Sequence, residues 1–450
     1  MMTPNSILAQ TRRGLQLVAG AGVLLVAASC SSILDVKNPN NIAEDALANP
    51  AAAGPEANGA LASLTRALSF STLVYADATD EMDWIGSRDS WNELDKGAIG
   101  NFANEFADDQ FKYTAEARYV ADQAIVRLEG FDKAGTLASR ADLMRSYIYG
   151  AIIYSSIADQ YDDFAFSNKT VAAAPVGRAN MGRLYDTSVG YLDKALAIAT
   201  SNSDKYTILA LRARAKHGKG AWAKVTPKGT AAPANPLVND AGAVADATAA
   251  IALAAPDATV DLINNVEATA GTNIWYEVNG RNESAPGKVY VVDPTGTTNK
   301  YVAAIKDPIS GTADPRMQAR LTAFKAFGTT AGTLWITSTR ELRLILAEAA
   351  LASGNTAEFT TQINTVRALD GKPAFAGQIA NQDMLVYERQ IQLWLMRRRL
   401  IDMARFGIKD PKWTSNASYD NLFSSTGLLF PIANVERQAN PCIADATKCK

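Results

Sequence analysis

The stretch RELRLILAEAALASGNTAEFTTQINTVRAL, residues 340–369, decides the fold. Leu342, Ile345, Leu346 and Ala349 recur at helical spacing and lay an apolar stripe along one face. Gly354-Asn355 stops that run, and a second helical segment starts at once. The spacing predicts helices over 338–355 and 356–369, folded back on each other across a short turn.

The same signature recurs outward from this pair. ARYVADQAIVRLEGF (117–131) aligns Tyr119, Val120, Ala124, Ile125 and Leu128 on one stripe. Segments 143–166, 184–201, 206–225 and 240–254 read as further helices, and 382–407 as one long helix ending in glycine. Paired helices with short turns, rich in Ala where helices approach closely, predict a mostly α fold with tetratricopeptide-like packing. No clean repeat period emerges. The intervening stretches 70–105, 167–183, 226–239 and 256–337 read as long irregular loops. The last contains two strand-like pieces, NIWYEV and KVYVV, divided by Gly, Pro and Asn. On such a scaffold function is expected in the loops.

Composition narrows the function. With 450 residues, 48% of them hydrophobic, the chain is globular, and a net charge of −2 gives no reason to expect nucleic acid or anionic lipid as a partner. The densest basic run, Arg397-Arg398-Arg399, is too short to track a phosphate backbone. It reads as satisfying helix-end carbonyls and neighbouring acids. A single histidine, His217, removes ordinary zinc sites, Ser-His-Asp triads and Cys-His dyads together. It reads as a cation near a helix C-terminus.

Residues 1–29 have a signal-peptide layout: Arg12 and Arg13, an apolar run too short to span a bilayer, then Ala27-Ala28-Ser29 before Cys30. The Ala-Ala-Ser-Cys ending resembles a bacterial lipobox. That resemblance makes Cys30 the acylated first mature residue, an anchor strengthened by each buried CH2, and makes 30–42 a tether. In an exported protein Cys442 and Cys449, seven positions apart, are expected to form a local disulfide.

Several separated segments together resemble the SusD/RagB family of outer-membrane nutrient-binding lipoproteins. They are SSILDVKNPNNI after Cys30, Asp314-Pro315-Arg316, the 340–375 helix pair, ERQIQLWLMRRRLIDMARFGI and LLFPIANVERQANPCI. Gln392 and Ala433 depart from that pattern, standing where an acid and a proline are usual. The resemblance implies one SusD-like domain over 43–450, a mostly α superhelical scaffold with little β. The scaffold would lie mainly in 106–254 and 338–407, and the ligand-binding loops mainly in 70–105 and 256–337. It further implies lipid anchoring in the outer membrane, exposed at the surface or facing the periplasm. Nutrient capture, most readily of a glycan, would be coupled to delivery to a SusC-like TonB-dependent transporter over which the protein closes as a lid, with no catalysis and no cofactor.

Sugar sites combine aromatic platforms with planar polar side chains. Two stretches meet that description. LVYADATDEMDWIGSRDSWNELDKG (73–97) offers Asp80, Trp84, Arg88, Trp91 and Asn92, and NIWYEVNGRNE offers Trp275, Tyr276, Asn279 and Arg281. Trp222, Trp335 and Trp394 read as packing residues. Asp77, Asp80, Glu81 and Asp83 read as a solvated loop or a weak calcium site, or less readily as the carboxylate pair of a glycoside hydrolase. The alternative from another class is a tetratricopeptide-type scaffold lipoprotein for outer-membrane assembly, with a concave peptide-binding face and no small-molecule ligand.

Overall fold

The computed structural model describes residues 44–168, 171–225, 232–264, 273–330, 332–413 and 429–449. The leader, Cys30 and the 30–42 tether lie outside them. Two compact units divide at Asn49–Pro50. In the first, the described part is the short helix Glu44–Leu47. The second, Pro50–Lys450, holds everything below.

Consecutive helices pack side by side: α1 (Ala53–Asp77), α3 (Glu105–Lys133), α4 (Arg140–Gln160), α5 (Arg183–Ile198), α6 (Asn202–Val225) and α7 (Ala241–Ile251), with a short α2 (Asp89–Asp95) in the connection between α1 and α3. Helix α7 then meets α9 (Thr339–Ala352), which pairs with α10 (Thr356–Leu369) and α11 (Asn381–Gln392). Helix α12 (Arg399–Phe406) lies on α6. Two small antiparallel ribbons complete the unit. Strand β1 (Met82–Trp84) pairs with β3 (Ser284–Pro286), and β2 (Thr259–Asn264) with β4 (Gly332–Ser338). The fold is mostly α.

The helix boundaries follow local chemistry. Asn104 caps α3 by accepting from Phe106 N and Ala107 N, Ser338 caps α9 through Glu341 N, and Asn355 caps α10 through Glu358 N. Asp314 caps α8 (Pro315–Ala326), whose Pro315 occupies the first turn, where its missing N–H costs nothing. Gly354 turns from α9 into α10 at φ +77°, where a side chain would be strained. Gly218 on α6 permits close approach, because a Cβ there would sit 2.7 Å from Tyr185.

Several expectations are corrected. Helix α1 runs through residues read as loop, and α3 begins twelve positions before the expected 117. Segment 256–337 contains helix α8 as well as β2 and β3. NIWYEV is not a strand: it enters a π-helical turn, Tyr276–Gly280. KVYVV is a turn with one isolated bridge, Val291 to Ala303. The long helix over 382–407 is broken between Gln392 and Arg399, with Leu395 and Arg397 in left-handed conformation at φ +58° and +57°. Such residues cost on the order of 1–3 kcal/mol each and persist where surroundings over-determine them. Here Leu395 N donates to Glu81, Met396 O accepts from Arg214, and Arg397, Arg398 and Arg399 are driven into three different buried environments.

His217 is also corrected. It lies within α6, buried, with Nε2 2.9 Å from Glu348 Oε2. Burial, helped by Arg389 and Arg405, holds its pKa down against the pull of Glu348, so it is a core partner of that carboxylate and not a helix-end cation. At the C-terminus Phe430 N donates to Gln160 O, tying the last segment to the end of α4, and Cys442 is bonded to Cys449 with Cα atoms 5.1 Å apart.

Candidate binding site

The β1–β3 ribbon joins the two aromatic–polar stretches found in the sequence. Trp84 lies opposite Ser284, and beyond the last pair Ile85 N and Gly86 N both donate to Glu283 O at 3.0 Å. The Glu283 carboxylate then accepts from Ser87 N at 3.0 Å, Ser87 Oγ at 3.3 Å and Arg88 N at 3.2 Å. One buried acid thus organises the turn entering α2. A Cβ on Gly86 would fall 2.1 Å from that carboxylate, so the turn needs glycine there.

Around this clamp the edge is polar and reachable. Arg281 is exposed and lies 3.5 Å from Glu283 and 3.7 Å from Glu277. Asn282 is exposed at φ +54°, its Oδ1 accepting from Lys300 Nζ at 2.7 Å while the same ammonium reaches Val278 O at 2.9 Å. Arg88 is half-buried, 3.1 Å from Glu105 and 4.3 Å over the Phe106 ring. Trp84 is half-buried against the core, its indole Nε1 buried and without a hydrogen-bond partner among the described residues. Asn92 and Tyr276 are half-buried on α2 and on the π-helical turn.

Four of the anticipated ligand residues are placed elsewhere. Trp91 is 0% exposed and stacks on Phe106 with ring centroids 3.6 Å apart. Trp275 is 1% exposed, edge-on to Phe327, and closes against Gly332, where a Cβ would sit 2.4 Å from the indole. A platform must present a face, and neither ring does. Asp80 pairs with Arg399 and accepts from Tyr290, which leaves it in the core. Asn279 spends its amide on Phe324 O and Gly328 O, fixing the end of α8. Trp222, Trp335 and Trp394 are all buried.

The acids of 77–83 are buried as well, not a solvated loop. Burial pushes the Asp77 carboxyl well up, with Asp95 adding to it, and raises Glu81 to about 8. Asp83, Asp95 and Asp410 surround the Lys412 ammonium, which also donates to Met82 O. Burial opposes that charge, yet the three carboxylates raise its pKa. Among the described residues no group of three or more His, Cys, Asp or Glu is placed to hold a metal ion.

No protein-family model matches the chain, and no curated protein matches it. Solved structures do. A SusD superfamily protein from Bacteroides vulgatus is 14% identical with a TM-score of 0.57, over 88% of this chain and 98% of that one. Another from Bacteroides thetaiotaomicron is 12% identical with a TM-score of 0.58, over 86% and 98%. The chain has the SusD-like fold. A SusD-like carbohydrate binding protein from Bacteroides vulgatus is also similar, at 14% identity and a TM-score of 0.51, over 88% and 97%.

On this SusD-like scaffold, Ser87, Asn282 and Glu283 join the candidate site, and sequence reasoning did not single them out. Glu283 closes the NIWYEVNGRNE stretch, but only the pairing of β1 with β3 reveals what it holds.

Proposed function

We propose that this chain is an outer-membrane lipoprotein, anchored through Cys30, that binds a nutrient glycan at the β1–β3 edge and delivers it to a SusC-like TonB-dependent transporter. The observation that carries the reading is the convergence of two stretches about 200 positions apart on one polar edge, as seen in the Ser87–Glu283 contact. Trp84 offers a partial aromatic face, and Ser87, Arg88, Arg281 and Asn282 offer donors and acceptors for hydroxyl groups. The fold likeness to a protein described as carbohydrate binding supports the same ligand class. No reaction is assigned to the site.

Isothermal calorimetry of purified protein against a panel of neutral and acidic oligosaccharides tests this. Binding that weakens at least tenfold in Trp84→Ala and Arg281→Ala supports the reading. No heat with any glycan, alongside recovery of an assembly protein by pull-down, transfers the chain to the scaffold class.

A further inference from the structure

A second site lies inside the helical scaffold. A cavity of about 20 Å³, room for a water-sized species, opens between α4, α5 and α6 and is closed by β4 and the α11–α12 break. Its polar lining comes from Ser155, Ser156, Asp159, Ser188, Arg214 and Arg397.

Arg397 is the group that needs explaining. It is 2% exposed, and among the described residues its single hydrogen bond runs from Nη1 to Thr72 Oγ1 at 2.8 Å. No carboxylate lies within ion-pair distance of it among the described residues. The acids of the surrounding cluster are already engaged. Asp159 Oδ1 takes Arg398 at 2.7 Å and the Tyr185 hydroxyl at 2.6 Å. Glu341 takes Arg214 at 2.6 and 2.7 Å and Arg398 at 3.2 Å. Glu81 accepts the Leu395 N–H. Tyr75, also nearby, accepts from Leu400 N. Arg214 and Arg398 therefore take up the two carboxylates of Asp159 and Glu341, and Arg397 carries the surplus charge. An uncompensated buried charge is strongly destabilising.

The hydroxyls narrow what can answer it. Ser155 donates to Ser188 and Ser188 to Ala151 O, so both protons are committed. Among the described residues the Ser156 hydroxyl has no such partner, and it remains as a donor beside the unused N–H groups of Arg397. Donors of this kind around a surplus positive charge, in a space of atomic size, suit an anion and exclude a metal cation.

We propose that this cavity is a structural site for a small monovalent anion of halide size, held by Arg397 and Ser156. The anion balances the left-handed turn at Arg397 against the packed ends of α1, α4 and α6. The inference is independent of what the β1–β3 edge binds.

The test uses the purified full chain crystallised with sodium bromide and measured at the bromine absorption edge. An anomalous peak in the cavity beside the Arg397 guanidinium is the expected result. Density there without anomalous signal, meaning water only, overturns the proposal whatever else bromide does. In parallel, thermal unfolding in chloride or bromide is compared with gluconate at equal ionic strength. A halide-specific rise of about 1–2 °C is expected from the mass-action stabilisation of the folded state, and equal midpoints overturn the proposal. Ser156→Ala, which leaves every ion pair in place, should cut the halide-specific rise at least by half. Arg397→Met should abolish it if its circular dichroism remains native. An undiminished rise in Ser156→Ala places the halide elsewhere and overturns the assignment.

Discussion

Arg399 and Asp80 form a two-point buried ion pair, Nε to Oδ1 at 2.7 Å and Nη2 to Oδ2 at 2.5 Å, across 319 positions of sequence. The pair fastens the start of α12 to the turn between α1 and β1. Asp80→Ala leaves Arg399 buried without its partner, and breaking such a pair costs about 3–5 kcal/mol. Urea unfolding should show that loss as a lower midpoint with an unchanged slope. A change under about 1 kcal/mol, the scale of an exposed ion pair, would mean that Asp80 is free for a ligand.

Trp84 and Trp91 should separate cleanly. Trp91 is stacked in the core, so Trp91→Ala should destabilise by about 3–5 kcal/mol. Trp84 is half-buried at the edge, so Trp84→Ala should cost less stability and weaken glycan binding instead. Differential scanning calorimetry paired with titration calorimetry reads both quantities on the same samples.

The clamp at Glu283 predicts a local effect. Glu283→Ala removes the acceptor for Ser87 N and Arg88 N and the anchor of Arg281. Hydrogen exchange at the Ser87 and Arg88 amides should accelerate while α9 and α10 keep their protection. Uniform acceleration across the chain would mean that the variant had lost global stability, and would remove Glu283 from its local role.

Glu81 predicts a pH dependence. Burial raises it from 4.5 to about 8, against the Leu395 N–H that lowers it. A carboxyl raised in the folded state stabilises the fold fully below its ordinary pKa, and that contribution is lost as pH rises through about 8. Glu81→Gln should therefore match the native protein near pH 4 and exceed it in melting temperature near pH 9, roughly one unit beyond the folded pKa. Parallel pH profiles for the two proteins would contradict this assignment. Glu341 runs the other way: burial raises it, but Arg214 and Arg398 overcome that and lower it to about 2, so its contribution is lost only in strong acid.

Helix pairing was legible because its signals are local. A stripe at Leu342, Ile345 and Ala349, a cap at Ser338 or Asn355 and a glycine at 354 act within one or two turns of chain, and the 356–369 helix falls where its spacing places it. The site was legible only in part. Trp84, Arg88 and Arg281 do meet at one edge, but aromatic content alone could not separate the half-buried Trp84 from the fully buried Trp91 seven positions later.

The sequence by itself determined the mostly α class, the α9–α10 hairpin and the order of the helices, because backbone hydrogen bonds and apolar periodicity depend on near neighbours. Only the tertiary structure decided the break at Leu395–Arg397, the burial of the 77–83 acids and the convergence of Trp84 with Glu283. A helix would have carried Arg397, Arg398 and Arg399 onward at regular spacing. The buried acids Asp159, Glu341 and Asp80 and the Thr72 hydroxyl, 57 to 325 positions away, fix where those charges go, and no local pattern records them.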